Sequence, residues 1–337
     1  MPNLSCYEHM NKKIPQAPPD TSTSATSSPR SRSNVRSLLL ALLVIVLWGV
    51  SFSVTRTTVR EVPPLTIAFL RFALATLLFW PLVHSRYRQV RIAPKDRRDT
   101  FLLGFVGVTL YFACENTGLK YTTASHGALI IATIPLATEL TDAFLRRRIP
   151  ARGMLFGLLA ALLGVFLIIG HSDGGGATLR GDLFVVGAVI TWVWYTFLAD
   201  RLISRYPNLL LTYLIMLTGA LTLLPCAVFE LWRQPIPWPS PGAWAGIGFL
   251  GIFCSAIAYL LWNQAIPALG VSATNNLLYG IPLVGVLAGV IGLGEPLTIH
   301  IAIGGVLILG GVMVAGRAAA SIQNKSGQGA LSENDPD

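Results

Sequence analysis

Apolar runs of about 20 residues recur along this 337-residue chain, separated by short segments in which arginine and lysine collect. A helix of that length crosses the hydrocarbon core of a bilayer, about 30 Å thick. No water reaches that core, so only helices and closed barrels can satisfy their backbone groups there. Barrel strands would alternate every second residue over segments of about ten, and these runs do not. Ten spans are expected, at 38–55, 64–83, 100–119, 124–145, 152–170, 181–199, 209–230, 243–264, 272–292 and 298–316. Composition points the same way: 53% of residues are hydrophobic and only 12% charged, against roughly 25% charged in soluble domains. Glycine and proline are plentiful but follow no three-residue period, which excludes collagen. The expected fold class is an all-α integral membrane protein with ten transmembrane helices.

The net charge of +9 raises the question of nucleic acid, and its distribution answers it. With the N-terminus inside, 19 of the Lys and Arg residues fall in inner segments and 5 in outer ones, with Arg71 inside a span. That asymmetry sets topology: both termini cytoplasmic, in the inner (plasma) membrane, with no nucleic-acid partner. Residues 1–36, rich in Ser, Thr and Pro, are expected to be a disordered cytoplasmic tail, and residues 318–337 a second one. No convincing A-x-A site follows the first apolar run, so it is read as a retained helix. Cys6, Cys114, Cys226 and Cys254 form no C-x-x-C pair, and neither a disulfide framework nor a metal site is expected. H-E-x-x-H, G-x-S-x-G and P-loop signatures are absent, so no enzyme, cofactor or ATP-driven step is implied.

The two halves resemble each other. A shift of 147 positions pairs Asn116 with Asn263, Ser125 with Ser272, Ile134-Pro135-Leu136 with Ile281-Pro282-Leu283, Gly157 with Gly304, and Gly164-Val165 with Gly311-Val312. A shift of 144 pairs the G-F-x-G at Gly104 with that at Gly248, and Trp48 with Trp192. The units are 37–170 and 181–317, joined by an extracellular linker at 171–180. Five spans per unit is odd, so the second copy enters the membrane inverted, an architecture of secondary transporters.

Several stretches also resemble the EamA family of the drug/metabolite transporter superfamily. In the first half these are Leu47-Trp48-Gly49-Val50-Ser51-Phe52, Ala68-Phe69-Leu70-Arg71-Phe72, and Tyr121-Thr122-Thr123-Ala124-Ser125 leading to Pro135. The second half has Ala268-Leu269-Gly270-Val271-Ser272-Ala273, Pro282, Gly294-Glu295, Gly304-Gly305 and Gly311-Val312 in the family's order. The chain departs from the family at Arg148, which stands where its repeat partner has Glu295. The resemblance implies a carrier that exports small metabolites or amino acids by alternating access, with proton exchange as its coupling. Uptake of a related solute is the other transporter reading. A membrane-embedded enzyme acting on lipid is the rival from another class, for which His300 is the only candidate.

Charges at membrane depth cost roughly 2.5–3.5 kcal/mol on insertion scales, which singles out Arg71, Glu115 and Glu139 for coupling or gating. Arg71 and Glu115, on antiparallel spans, could reach similar depths and pair, as a structural ion pair or as a gate. Glu139 and Asp142 share a helix face; they could bind a proton together, or Asp142 could pair with Arg146. His126 and His300 are read as interfacial. Pro135 and Pro282 free the carbonyls of Ile131 and Leu278, and matched helix breaks point to a binding region near the midplane. Tyr279 adjoins the second break. Asn116 and Asn263 offer paired amides, suited to a zwitterion or to clamping helices. Trp48, Trp192 and Tyr259 complete the candidate substrate-binding set. Oligomeric state is not written in the sequence.

Overall fold

The computed structural model describes residues 29–147, 149, 152–170, 177–203, 205–269 and 277–332. The first half contains α1 (Pro29–Thr58), α2 (Pro64–Tyr87), α3 (Arg97–Gly104), a π-helical segment π1 (Phe105–Leu110), α4 (Tyr111–Tyr121), α5 (Ala124–Ile131), α6 (Ile134–Leu145) and α7 (Arg152–Ile169). The second contains α8 (Leu179–Ile203), α9 (Asn208–Arg233), α10 (Pro241–Gly248), π2 (Phe249–Ile257), α11 (Ala258–Leu269), α12 (Gly280–Leu287), π3 (Ala288–Gly292) and α13 (Ile299–Ser332). Among the described residues there are no strands, and nine helical stretches are long and apolar enough to cross a membrane. They fall within a few residues of nine expected spans. Of the expected ninth span, 272–292, the described part is the shorter apolar helix Gly280–Gly292; residues 270–276 lie outside the described residues.

At both ends the helices run further than expected. α1 begins at Pro29, inside the stretch read as a tail, and α13 continues to Ser332. Past residue 316 the sequence is Arg317-Ala318-Ala319-Ala320, strong helix formers that give the helix no reason to stop. Outward faces are apolar: Leu77, Phe156, Phe166 and Val306 are all exposed. In water such a surface would aggregate, whereas against lipid it is the solvated face.

Helices of one half pack on helices of the other. α2 and α9 share a core containing Phe72, Phe79, Met216 and Leu223. α7 and α13 cross where glycines replace side chains: a Cβ on Gly157 would lie 2.3 Å from the Gly311 carbonyl oxygen, and one on Gly164 2.6 Å from that of Gly304. The two glycine contacts run in opposite sequence order, so these helices are antiparallel, and the bare backbones approach as small-residue interfaces in membranes do.

The end of the bundle opposite the basic loops, here the outer end, is tied by carboxylates set on helix starts. Glu230 accepts from the Thr66 N–H (2.8 Å), the Thr66 hydroxyl (2.9 Å) and the Leu65 N–H (3.3 Å) at the start of α2. Glu295 accepts from the Ala124 N–H (2.7 Å), the Ser125 N–H (2.9 Å) and the Ser125 hydroxyl (2.6 Å) at the start of α5. Glu61 accepts from the N–H and hydroxyl of Ser240, both at 2.8 Å, just before α10. Each satisfies N–H groups that a helix start leaves without partners, at the positive end of its dipole. At the inner end Asp96 accepts from Arg205 (2.7 Å) and the Tyr206 hydroxyl (2.8 Å).

Candidate functional site

π1 and π2 start at positions related by the 144-residue shift, Phe105 and Phe249, and each inserts an extra residue into the third helix of its half. Such insertions turn the following side chains to a new face, and they occur often at functional sites. Tyr111 and Glu115 follow π1; Ser255 lies in π2 and Tyr259 follows it. These side chains, with Arg71 of α2 and Trp192 and Tyr195 of α8, form one buried cluster.

Arg71 is only 5% exposed. Its Nε donates to the Ser255 hydroxyl at 3.1 Å, and its guanidinium lies over the rings of Phe112 (4.6 Å) and Phe72 (5.2 Å). Cation–π contact of this kind is worth about 2 kcal/mol or more where water is excluded. Glu115, 7% exposed, has the Arg71 guanidinium and the Tyr111 hydroxyl as its polar neighbours. Among the described residues these two charges make no direct ion pair, so the pairing expected from sequence is replaced by an arginine held on a serine with the carboxylate further off. One positive and one negative group therefore face the same buried region with hydrogen-bonding capacity to spare.

Rings wall the cluster. Trp192 packs against Tyr111 (4.9 Å) and Tyr195 (5.0 Å), and Trp48 against Tyr259 (5.5 Å) and Trp262 (5.3 Å). Trp48 Nε1 donates to the Cys254 carbonyl at 3.0 Å. Tyr195 lies directly on the bare backbone of Gly107, where a Cβ would come within 2.2 Å of the ring. Phe72, Gly107, Val108, Trp192, Tyr195 and Tyr259 are among the residues lining a cavity of about 30 Å³. That is room for about one water, far below the roughly 300–1,000 Å³ of ligand pockets. A larger hollow of about 510 Å³ lies at the outer rim among Leu65, Pro225, Phe229 and Glu230. Its carboxylate already caps α2, and the rest of its lining is largely apolar, as befits a lipid-facing groove.

The remaining sequence candidates are dispersed. Both proline breaks exist: Ala132-Thr133 separates α5 from α6 ahead of Pro135, and Leu278-Tyr279 precedes α12 ahead of Pro282. Ile131 and Ile134 at the first break border the aromatic cluster. Tyr279 instead packs with Leu129, Leu136 and Ile308, and its polar neighbour is Glu139, which is exposed on α6. Asp142 pairs with Arg146 at 2.6 Å. Asn116 is fully buried, and its Nδ2 donates to the Pro64 carbonyl at 3.0 Å, fastening α4 to the start of α2. Asn263 lies in α11, and its side chain is outside the described residues.

His126 corrects an expectation. It is buried, not interfacial, and its Nδ1 lies 3.1 Å from the buried carboxylate of Asp182. Sequence reasoning passed over Asp182 and Ser255, and it left Tyr111 and Tyr195, aromatics available to line a cavity, out of the candidate set. The glycine beneath Tyr195, matched by Gly251 in the second half, carried a further signal.

Known proteins agree with this architecture. A sequence model of the EamA-like transporter family matches residues 35–170 and again 179–317. A protein of Archaeoglobus fulgidus described as an uncharacterized transporter is 31% identical over 280 residues, 83% of this chain and 98% of the relative. A probable amino-acid metabolite efflux pump of Salmonella typhimurium is 25% identical, over 82% of this chain and 93% of the pump. A solved crystal structure superposes with a TM-score of 0.59 at 22% identity, covering 83% of this chain and 98% of its own; at that identity the likeness is one of fold.

Proposed function

Because the chain belongs to the EamA-like transporter family, we propose that it is a secondary-active exporter of a small amphoteric metabolite, such as an amino acid, working by alternating access. The observation that carries this reading is the buried Arg71–Ser255–Glu115 cluster, next to rings that line a separate small cavity, itself too small for cargo. A cation and an anion buried near one another match the carboxylate and ammonium of a zwitterion. The rings suit an apolar side chain. The relative named as an amino-acid metabolite efflux pump supports the same class of cargo and the outward direction.

Alternating access needs two related halves, and the glycine contacts support inverted repeats. The 147-residue shift turns Gly157 into Gly304 and Gly164 into Gly311, while Gly157 meets Gly311 and Gly164 meets Gly304. Such reciprocal contacts are the mark of a two-fold axis. Between antiparallel membrane helices that axis lies in the membrane plane. Trp48 and Trp192 repeat the pattern, the first packing on the third helix of the second half and the second on that of the first. On this reading the protein has ten helices, with both termini on the cytoplasmic side of the inner membrane, and the described state is occluded.

Cysteine accessibility tests the mechanism. In a chain with its native cysteines replaced, Ser125→Cys reports the outer end and Glu139→Cys the inner. Adding a mixture of the standard amino acids to reconstituted protein is expected to raise labelling at one position as it lowers the other. Labelling that rises or falls together at both would contradict alternating access.

A further inference from the structure

A buried histidine–carboxylate pair lies apart from the central cluster, at the outer end. His126, in the first turn of α5, is 3% exposed and Asp182, in the first turn of α8, 0%. The imidazole Nδ1 sits 3.1 Å from Asp182 Oδ2 and 3.3 Å from Oδ1, and the Thr122 hydroxyl donates to the same carboxylate. A buried carboxylate keeps its charge only with a partner. Here its partners include an imidazole, a ring that can carry one proton or two. One proton more or less on the ring switches the pair between neutral and singly negative.

The position suits coupling. α5 is a half-helix, held at its start by Glu295 and cut from α6 at Ala132-Thr133. The pair fastens it to α8, which carries Trp192 and Tyr195 of the central wall about 15 Å along the helix. Charged groups on the outer halves of the surrounding elements are Glu115 and Lys120 of α4, Arg56 of α1, Arg180 of α8, Glu295 after π3 and His300 of α13; the other charges of α1, α8 and α13 lie toward their inner ends. α12 has none, and α7 has only Arg152 at its far end. Glu295 is engaged by the α5 amides, and Arg56 by the carbonyls of Leu119 and Lys120. Arg180 and Lys120 lie over Tyr121.

We infer that His126 and Asp182 form the proton-binding site that couples export to the proton gradient. The site takes one proton from the outer side as solute is released there with α5 and α8 parted. It gives that proton up to the cytoplasm as the next solute binds from inside, so one proton enters for each solute exported. The inference rests on the transporter reading. Its test uses the purified full chain in two ways. Isotope-labelled histidine is followed by NMR, and proteoliposomes loaded with a mixture of the standard amino acids are placed under an imposed pH gradient. The expected spectrum has one histidine signal, absent in His126→Gln, that changes protonation state across the pH range imposed on the liposomes. The expected flux concentrates solute on the acid side by about tenfold per pH unit for one proton per cycle. In His126→Gln and Asp182→Asn that concentration vanishes while exchange at symmetric pH persists. A merely structural clamp would keep the tenfold gradient in these near-isosteric variants, and that result overturns the inference. A His126 ring that stays in one protonation state across the range overturns it too, whatever the liposomes do. If the wild type moves no amino acid, the proposed cargo fails and the titration alone decides the pair.

Discussion

Arg71 is legible in the sequence because a charge within an apolar run has few reasons to be there, and Glu115 is legible for the same reason. What each touches is not. A serine such as Ser255 in an apolar helix carries no mark of the guanidinium it faces, and the π segment that turns it inward changes no residue type. Ser255→Ala removes the acceptor for Arg71 Nε. A hydrogen bond to a charged group is worth about 1.5–3 kcal/mol, so the variant is expected to unfold that much more easily in detergent and to transport more slowly. Gly107→Ala acts by crowding: its Cβ would come within 2.2 Å of the Tyr195 ring, and overpacking of this kind costs about 1–3 kcal/mol. In a double-mutant cycle with Tyr195→Ala, most of that cost is expected to disappear. An unchanged cost would mean that the ring does not rest on this glycine. Asn116 was singled out from sequence as one of two matched amides, and its bond to the Pro64 carbonyl makes it a fastening of α4 to α2.

Helix ends and breaks set how the elements can move. Pro135 and Pro282 marked the breaks in the sequence because proline removes a hydrogen bond from a helix interior. In the structure each sits in the first turn of the helix after the break, where its missing N–H leaves no bond unmade. The carboxylates on helix starts were hidden, since Glu230 and Glu295 lie far in sequence from the amides they bind. Glu295→Ala is expected to destabilise the start of α5 by about 0.5–2 kcal/mol, the usual worth of a cap. Faster hydrogen exchange at Ala124 and Ser125 would report it, with α2 unaffected. Its partner position in the first half is Arg148, so α5 is the fourth-helix start for which the chain supplies this carboxylate, an asymmetry between the halves. Glu61 lies in the outer loop. The N–H of Ser240, and then its hydroxyl, hold its carboxyl below the ordinary range. A carboxyl lowered by folding adds stability that is present above its unfolded pKa and fades as pH falls through the folded one. Ser240→Ala should therefore narrow the stability difference between neutral and acid pH, and infrared titration of the carboxylate should show Glu61 moving up. No movement would rule out the bond.

At the scale of the whole molecule, composition and run length were enough for a multi-pass helical membrane protein, and nine expected spans have counterparts in the structure. The matched glycines and prolines suggested two halves, and the family model's two matches fall on nearly the same boundaries. Pocket volume was illegible, because helices apolar on every side give no period from which to tell lipid from neighbour. On the proposed reading, a cavity of about 30 Å³ admits cargo only when the halves tilt apart. The proposed activity is export by way of the buried Arg71–Glu115 cluster. It is tested most directly by untargeted profiling of the medium and cytoplasm of cells producing the wild type or Glu115→Gln, matched for membrane level and unfolding midpoint. A small amphoteric solute is expected to be enriched outside and depleted inside with the wild type, with neither change in the variant. A solute that accumulates inside, or one exported equally well by Glu115→Gln, would contradict it.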